Sequence, residues 1–371
     1  MRIAQVAPLY ESVPPDAYGG TERAVWWLTE ELVARGHDVT LFASGDSRSS
    51  ARLVSPVERS LRRSGTRDPL APHIVMLEHV FQRSADFDVI HLHTDYLHFP
   101  LARRAGVPVV TTLHGRLDLA DLVPLYQEFD DIPVISISDA QRRPLPWINW
   151  QATVYHGLPV NHLRFHPDRG TYLAFLGRIS PEKGVDRAIH IARRVGLPLR
   201  IAAKVDPVDH SYFTDVIRPM LKEPGIEYLG EITERHKDRF LGEAMGLLFP
   251  IDWPEPFGIV MIEALACGTP VVAMRAGSVP EILADGATGF VVNSVEEAVR
   301  ATSSLPTLDR RRCRQVFEAR FTVDRMVDAY LSVYRRLIEA GRAPRDVDAE
   351  AVALSKGGYH VRTAQLVARN P

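Results

Sequence analysis

RIAQVAP at residues 2–8, TERAVWWLTEELVARG at 21–36 and DVTLFAS at 38–44 decide the fold. The first and third are short apolar runs with β-branched residues, and the segment between them repeats its apolar residues at helical spacing. Strand, helix, strand in that order implies a parallel sheet, because the crossover helix returns the chain to the same edge in the same direction. The alternation continues through a helix at PHIVMLEHVFQRS, a strand at DVIHLH and a helix around YLHFPLARRAG. Next come a strand at PVVTTLHG, a helix near 119–129, and strands at PVISIS and ATVYHG, a doubly wound unit that ends near residue 165. After LPVNHLRFHPDRG it restarts with the strand TYLAFLG, the helix VDRAIHIARRV and the strand PLRIAAK, then further strands at GIEYLG, GLLFP, TPVVAM and TGFVV. Residues 47–72, rich in Ser, Arg and Pro, read as a loop around a short helix. The stretch Val323 to Ala340 keeps helical spacing and closes the fold, and the polar tail beyond it carries no pattern that demands one.

The whole-chain balance excludes several classes. At 371 residues the chain accommodates about two domains, with 46% hydrophobic and 24% charged residues. Its 44 basic and 46 acidic side chains give a net charge of −2, so nothing calls for nucleic acid. The N-terminus has too short an apolar run for a signal peptide, no run spans a bilayer, and the two cysteines, Cys267 and Cys313, have no metal spacing. A reduced, cytoplasmic chain is expected. Arg59, Arg62, Arg63 and Arg67 would share one face if their segment were helical, which suits an anionic membrane surface. Gly65 interrupts the segment and no apolar face accompanies it, so a solvated basic face is favoured over peripheral membrane contact.

Chemistry concentrates at strand ends. Gly19 and Gly20 follow the first strand, where small residues let the backbone bend and approach a ligand, although a plain turn uses glycine too. Arg178 and Lys183, in GRISPEKG, leave the first strand of the second unit at a helix start, an arrangement suited to a diphosphate. PEPFGIVMIEALACGTPVVA, residues 254–273, places Glu255 before a helix start at Phe257-Gly258 and Glu263 within the helix. Unpaired N–H groups there favour an anion. Ser278-Val279-Pro280-Glu281 reads as a capping box, with Glu281 as its acid. His91, His93 and Asp95 alternate on one strand, but a strand end explains them better as pocket or core residues than as metal ligands. Asp86-Phe87-Asp88 precedes its strand and so belongs at the end of the sheet away from the crevice, and Asp346 with Asp348 lies in the tail.

The Gly-Gly turn, the strand ending Leu113-His114-Gly115, GRISPEKG and PEPFGIVMIEALACGTPVVA, in that order, resemble the retaining glycosyltransferases of family four. The resemblance covers residues 1–340. It implies the GT-B fold, α/β with two Rossmann-like doubly wound parallel-sheet domains facing a cleft. Residues 1–165 would form the acceptor-side domain and 166–321 the nucleotide-sugar domain. Residues 322–340 would be a helix crossing back to the first domain, and 341–371 a tail of no assigned role. On that likeness His114, Arg178, Lys183 and Glu255 are catalytic. Gly19, Gly20, Phe257, Gly258, Ile259, Val260 and Glu263 bind donor, with Glu263 on the ribose hydroxyls and Glu255 beside the sugar. Lys204, where relatives commonly carry glycine, adds a cation that reaches the diphosphate, lines the base pocket or is simply solvated. Glu22, Asp95 and Tyr96 mark the acceptor side.

Hexose transfer from UDP-glucose, or next GDP-mannose, to a hydroxyl on a small molecule, glycan or lipid-linked acceptor is expected, with no cofactor and no metal. A sugar-nucleotide 2-epimerase of the same fold and a non-catalytic nucleotide-sugar-binding subunit are the competing readings. A Rossmann dehydrogenase is disfavoured, since neither first strand–helix turn has GxGxxG spacing.

Overall fold

The computed structural model describes residues 1–17 and 19–342. Seven strands, β1 (Arg2–Val6), β2 (Asp38–Phe42), β3 (Arg52–Val54), β4 (Val89–Leu92), β5 (Val109–Thr112), β6 (Val134–Ser136) and β7 (Trp150–Thr153), form one sheet in the order β3-β2-β1-β4-β5-β6-β7. Six more, β8 (Tyr172–Arg178), β9 (Leu199–Lys204), β10 (Ile226–Gly230), β11 (Ala244–Phe249), β12 (Val271–Met274) and β13 (Gly289–Val292), form a second in the order β10-β9-β8-β11-β12-β13. Adjacent strands are parallel throughout both sheets. Val89–Leu92 and Val109–Thr112 are buried along their whole length, as central parallel strands are, and carry polar His91, Thr111 and Thr112 among their apolar residues.

Strand order reverses between β1 and β4 in the first sheet and between β8 and β11 in the second. A crevice opens at such a switch point, beyond the carboxyl ends of the strands. Helices α1 (Gly20–Ala34), α2 (Val185–Val195), α3 (Glu234–Gly242) and α4 (Ile259–Ala266) all begin on this side of their sheets. Helix α5 (Val323–Arg342) follows the second sheet in sequence but packs on α1 and β4 of the first lobe. Its buried Met326, Val327, Tyr330, Leu331, Val333 and Tyr334 recur at spacings of one, three and four, the stripe needed to cover a neighbouring core.

Two local readings of the sequence need correction. Residues 47–72 contain the strand β3, which completes the sheet edge, and their helical turn is only Leu61–Ser64, ended by Gly65 at φ 65°. A three-residue strand beginning with an exposed arginine has too little alternation to be seen. The arginines do not share a helix face: Arg62 pairs with Glu11 at 2.7 Å and Arg63 with Asp16 at 2.9 Å. Glu281 does not close a capping box either. Ser278 makes no side-chain cap bond, and its hydroxyl donates to the Phe257 carbonyl. The Glu281 carboxylate instead accepts the N–H groups of Asp139 and Ala140 in the first lobe, at 2.8 and 2.6 Å, and the Tyr155 hydroxyl at 3.1 Å. The tail from residue 343, with Asp346 and Asp348, lies outside the described residues.

Candidate active site

The two switch points face each other across a cleft of about 920 Å³ lined by both lobes. In the second lobe β8 ends at Arg178, and the turn Pro181–Lys183 then carries Lys183 back over the sheet edge. Gly184, at φ 74°, follows it, and a Cβ there would lie 2.3 Å from the Pro250 carbonyl oxygen, so only glycine lets this turn sit against β11. Lys183 Nζ is 2.5 Å from Glu255 Oε2 and 4.6 Å from the centre of the Trp253 ring. Trp253 Nε1 donates to the same carboxylate oxygen at 3.1 Å. Close approach of Gly277, whose Cβ would be 2.2 Å from the Glu255 carbonyl oxygen, fixes the backbone from behind.

Gly258, at φ 77°, turns the chain into α4, and Gly258, Ile259 and Val260 line the cleft at the helix start. Met261, Ile262, Glu263 and Ala264 to Ala266 are buried, so α4 is an almost wholly apolar helix with one acid in it. That acid, Glu263, is 2.7 Å from Lys237 on α3, and Lys237 also reaches Glu234 at 2.8 Å. Burial works against the Lys237 ammonium, but the Glu263 and Glu234 charges outweigh it and hold the pKa above its ordinary value. Glu234 in turn bonds Arg23 of the facing lobe at 2.7 Å. Arg178 lies 2.6 Å from Glu182, 3.5 Å from Asp206 and 3.6 Å from Asp209, while Lys204 is 3.0 Å from Asp206. The second lobe thus presents cations held in place by carboxylates beside a helix start.

From the first lobe, Gly19 and Gly20 open α1 at the cleft edge. A Cβ on Gly19 would meet Pro15 at 2.8 Å, and one on Gly20 would stand 3.6 Å from Ile259 of the opposite lobe. Glu22, in the first turn, is buried, and burial pushes its carboxyl up to about 7, with Glu11 adding to the rise and Arg62 opposing it. Asp95, at φ 48°, is exposed at the cleft edge, where the density of protein around it raises its carboxyl, to about 6. Tyr96 lies beside it. His114 follows β5, with Nε2 2.8 Å from His93 Nδ1 and its ring stacked on His156 at 5.3 Å between centres. Burial, then the neighbouring His93 and His156, keep its pKa well below the ordinary histidine range.

Every residue singled out for donor, acceptor or chemistry therefore lines this one cleft. The other motifs fall elsewhere. Asp88 is tied to Arg2 at 2.9 Å, at the opposite end of the first sheet. His91 is fully buried, bonded to Tyr334 and Thr112. Among the described residues, no three His, Cys, Asp or Glu side chains are grouped to hold a metal ion, and no helix is long and apolar enough to cross a membrane. Sequence reasoning missed Lys237, Trp253 and His156. Lys237 sits in the polar run TERHKDR at residues 233–239, where nothing separates a buried lysine from solvated ones. Trp253, one residue before the Pro-Glu-Pro motif, and His156, beside the linker glycine, were within sight of the motifs.

Residues 18–159 match the family described as Glycosyltransferase Family 4, and residues 164–316 the family described as Glycosyl transferases group 1. An alpha-maltose-1-phosphate synthase of Mycobacterium tuberculosis is 25% identical over 391 aligned positions, covering 89% of this chain and 99% of that protein. A phosphatidyl-myo-inositol mannosyltransferase of Mycobacterium leprae is 26% identical, covering 86% of this chain and 90% of its own. The crystal structure of AviGT4, a glycosyltransferase involved in avilamycin A biosynthesis, superposes with a TM-score of 0.70 at 25% identity, over 91% of this chain and 98% of that one.

Proposed function

The chain belongs to the family-four glycosyltransferases and has their GT-B fold, and on that premise we propose that it moves a hexose from a nucleoside-diphosphate sugar to a hydroxyl acceptor, with retention and without a metal. One observation carries the reading: the Lys183–Glu255 pair, Arg178 and the start of α4 share a cleft with His114 and the Gly19-Gly20 turn of the other lobe. Departure of a nucleoside diphosphate leaves negative charge on phosphate and an oxocarbenium-like sugar. Positive groups already fixed in a partly desolvated cleft stabilise that leaving group without reorganising. In this reading Arg178 and Lys183 take the phosphates, Lys204 supports them, and the N–H groups from Phe257 to Val260 contact phosphate or sugar.

Glu263, held by Lys237, accepts from the ribose cis-diol, since a carboxylate offers two acceptor oxygens. Glu255 orients the sugar hydroxyls, and its bond to Lys183 ties sugar recognition to leaving-group charge. Gly19 and Gly20 admit the phosphates close to the backbone. Glu22, Asp95 and Tyr96 face the acceptor, whose proton passes to a phosphate oxygen as it attacks from the face the diphosphate leaves. A cytoplasmic location belongs to the same proposal, and the free, buried thiols of Cys267 and Cys313 suit it.

The test is release of nucleoside diphosphate from UDP-glucose first and GDP-mannose second, with and without EDTA, across small-molecule, glycan and lipid acceptors. Release that survives EDTA is expected. Arg178→Ala or Lys183→Ala should each lower turnover by on the order of 10²-fold or more with the fold intact by near-UV circular dichroism. Near wild-type rates in either variant would remove the assigned charge role, and no release from any donor would favour a binding subunit.

A further inference from the structure

We propose that His114 is held in a single neutral tautomer, proton on Nε2 and lone pair on Nδ1, by a one-way chain of hydrogen bonds running to helix α5. Gln5, His93 and Tyr334 are then positioning residues for the transfer reaction, and the inference rests on the transferase reading only for what the tautomer is used for.

Six contacts make the chain. His114 Nε2 lies 2.8 Å from His93 Nδ1, and His93 Nε2 lies 3.0 Å from Gln5 Oε1. Gln5 Nε2 donates to the Tyr334 hydroxyl at 3.0 Å, and that hydroxyl lies 2.6 Å from His91 Nδ1. His91 Nε2 is 2.7 Å from Thr112 Oγ1, which donates to the Tyr330 hydroxyl at 3.1 Å. Burial keeps all three imidazoles well below their ordinary pKa, so each carries one proton.

With one proton per ring, the polarity follows from the Gln5 amide. Its oxygen faces His93, so His93 Nε2 must donate and His93 Nδ1 must accept. His114 Nε2 is then the donor, and the lone pair remains on His114 Nδ1. At the far end Thr112 spends its proton on Tyr330, so His91 Nε2 donates to Thr112 and His91 Nδ1 accepts from Tyr334. The two ends agree, and no member is asked to donate twice. His114 Nδ1 is itself buried and has no hydrogen-bond partner among the described residues. Running the chain backwards would leave an N–H without an acceptor at that position, and orphaned buried N–H groups are rarer than under-satisfied acceptors.

The tautomer matters to the chemistry. Nδ1 is covered in the ligand-free cleft, so a sugar hydroxyl reaches it only as donor binding shifts the side chains over it; a hydroxyl that donates there keeps its oxygen electron-rich, which favours a neighbouring carbon acquiring positive charge. A neutral ring also adds no cation beside it.

Long-range proton–nitrogen NMR on histidine-labelled protein, with His114 assigned from the spectrum of His114→Gln, reads the tautomer directly. A pyrrole-type Nε2 and a pyridine-type Nδ1 at neutral pH are expected. A protonated Nδ1 or an imidazolium overturns the proposal. Tyr334→Phe, three hydrogen bonds from His114 and outside the cleft, removes the anchor of the Gln5 amide. We expect a second His114 tautomer and a fall in kcat of about tenfold with unchanged nucleoside-diphosphate affinity. An unchanged His114 spectrum in this variant overturns the coupling. The tautomer is read on the protein alone, so failure to transfer from any donor would remove the transferase reading and leave the relay to stand or fall on its own spectrum.

Discussion

Lys237 illustrates what one side chain does when it is enclosed by opposite charges. It bonds Glu263 on one side and Glu234 on the other, and among the described residues it is the cation that pairs with the Glu263 carboxylate. Lys237→Met would strand the Glu263 carboxylate while Glu234 keeps Arg23, and breaking a buried pair costs about 3 kcal/mol or more. Urea unfolding should show that loss, and calorimetry a weaker grip on nucleoside diphosphate. Glu22 shows the opposite case, a carboxyl buried without adequate compensation. Its folded pKa of about 7 lies above the ordinary 4.5, so between those values the folded chain holds a proton the unfolded chain has released. Stability from this group is therefore full below pH 4.5, falls as pH rises, and reaches its floor above pH 7. Glu22→Gln should raise unfolding stability at pH 8 by about 3 kcal/mol and change it little at pH 4. Urea titrations at the two pH values check the sign. The motif residues Glu255, Glu263, Arg178 and Lys183 were legible because their meaning is local, a charge beside a strand end or helix start. Lys237 and Arg23 were not, because what defines them is a partner on another element.

At the scale of elements, α4 depends on how it begins. Gly258 enters it at φ 77°, and a Cβ there would stand 2.9 Å from Met261 Cε and 3.1 Å from Phe249 Cζ. Gly258→Ala thus combines left-handed strain with crowding. We expect a stability loss of about 1–2 kcal/mol and a larger proportional loss of diphosphate affinity, because the start of α4 moves. Thermal unfolding and calorimetry on the same sample separate the two effects. The alternation of β-strands and helices was readable because burial on both sheet faces makes parallel strands mostly apolar and β-branched, with single polar residues such as Gln5 and His91 too few to break the pattern. Glu281 was misread for an instructive reason: the Ser-x-x-Glu spacing is present, but Ser278 is already helical in its backbone and turns its hydroxyl to Phe257. The carboxylate is left to reach the first lobe, and spacing alone carries no information about that.

Over the whole molecule the lobes are joined near the cleft by Arg23–Glu234 and by the Glu281 contacts with Asp139, Ala140 and Tyr155. These bonds hold the lobes in the arrangement in which Gly20 approaches Ile259. Combining Arg23→Ala with Glu281→Ala should shift the ligand-free protein toward an open form, seen as a larger radius of gyration in small-angle scattering, and saturating nucleoside diphosphate should reverse part of it. An unchanged radius would mean that other contacts hold the lobes together.

Helix α5 has a further consequence, for the order in which the chain is made. Residues 1–153 contain every strand of the first sheet, yet His91, Gln5 and Thr112 inside it bond Tyr334 and Tyr330. During synthesis that lobe emerges first and waits, its interior polar groups without their final partners, until the end of the second lobe has followed. A chain that ends before α5 therefore leaves Gln5, His91 and Thr112 without these partners, and such a truncation is expected to be cut faster by protease than the full chain.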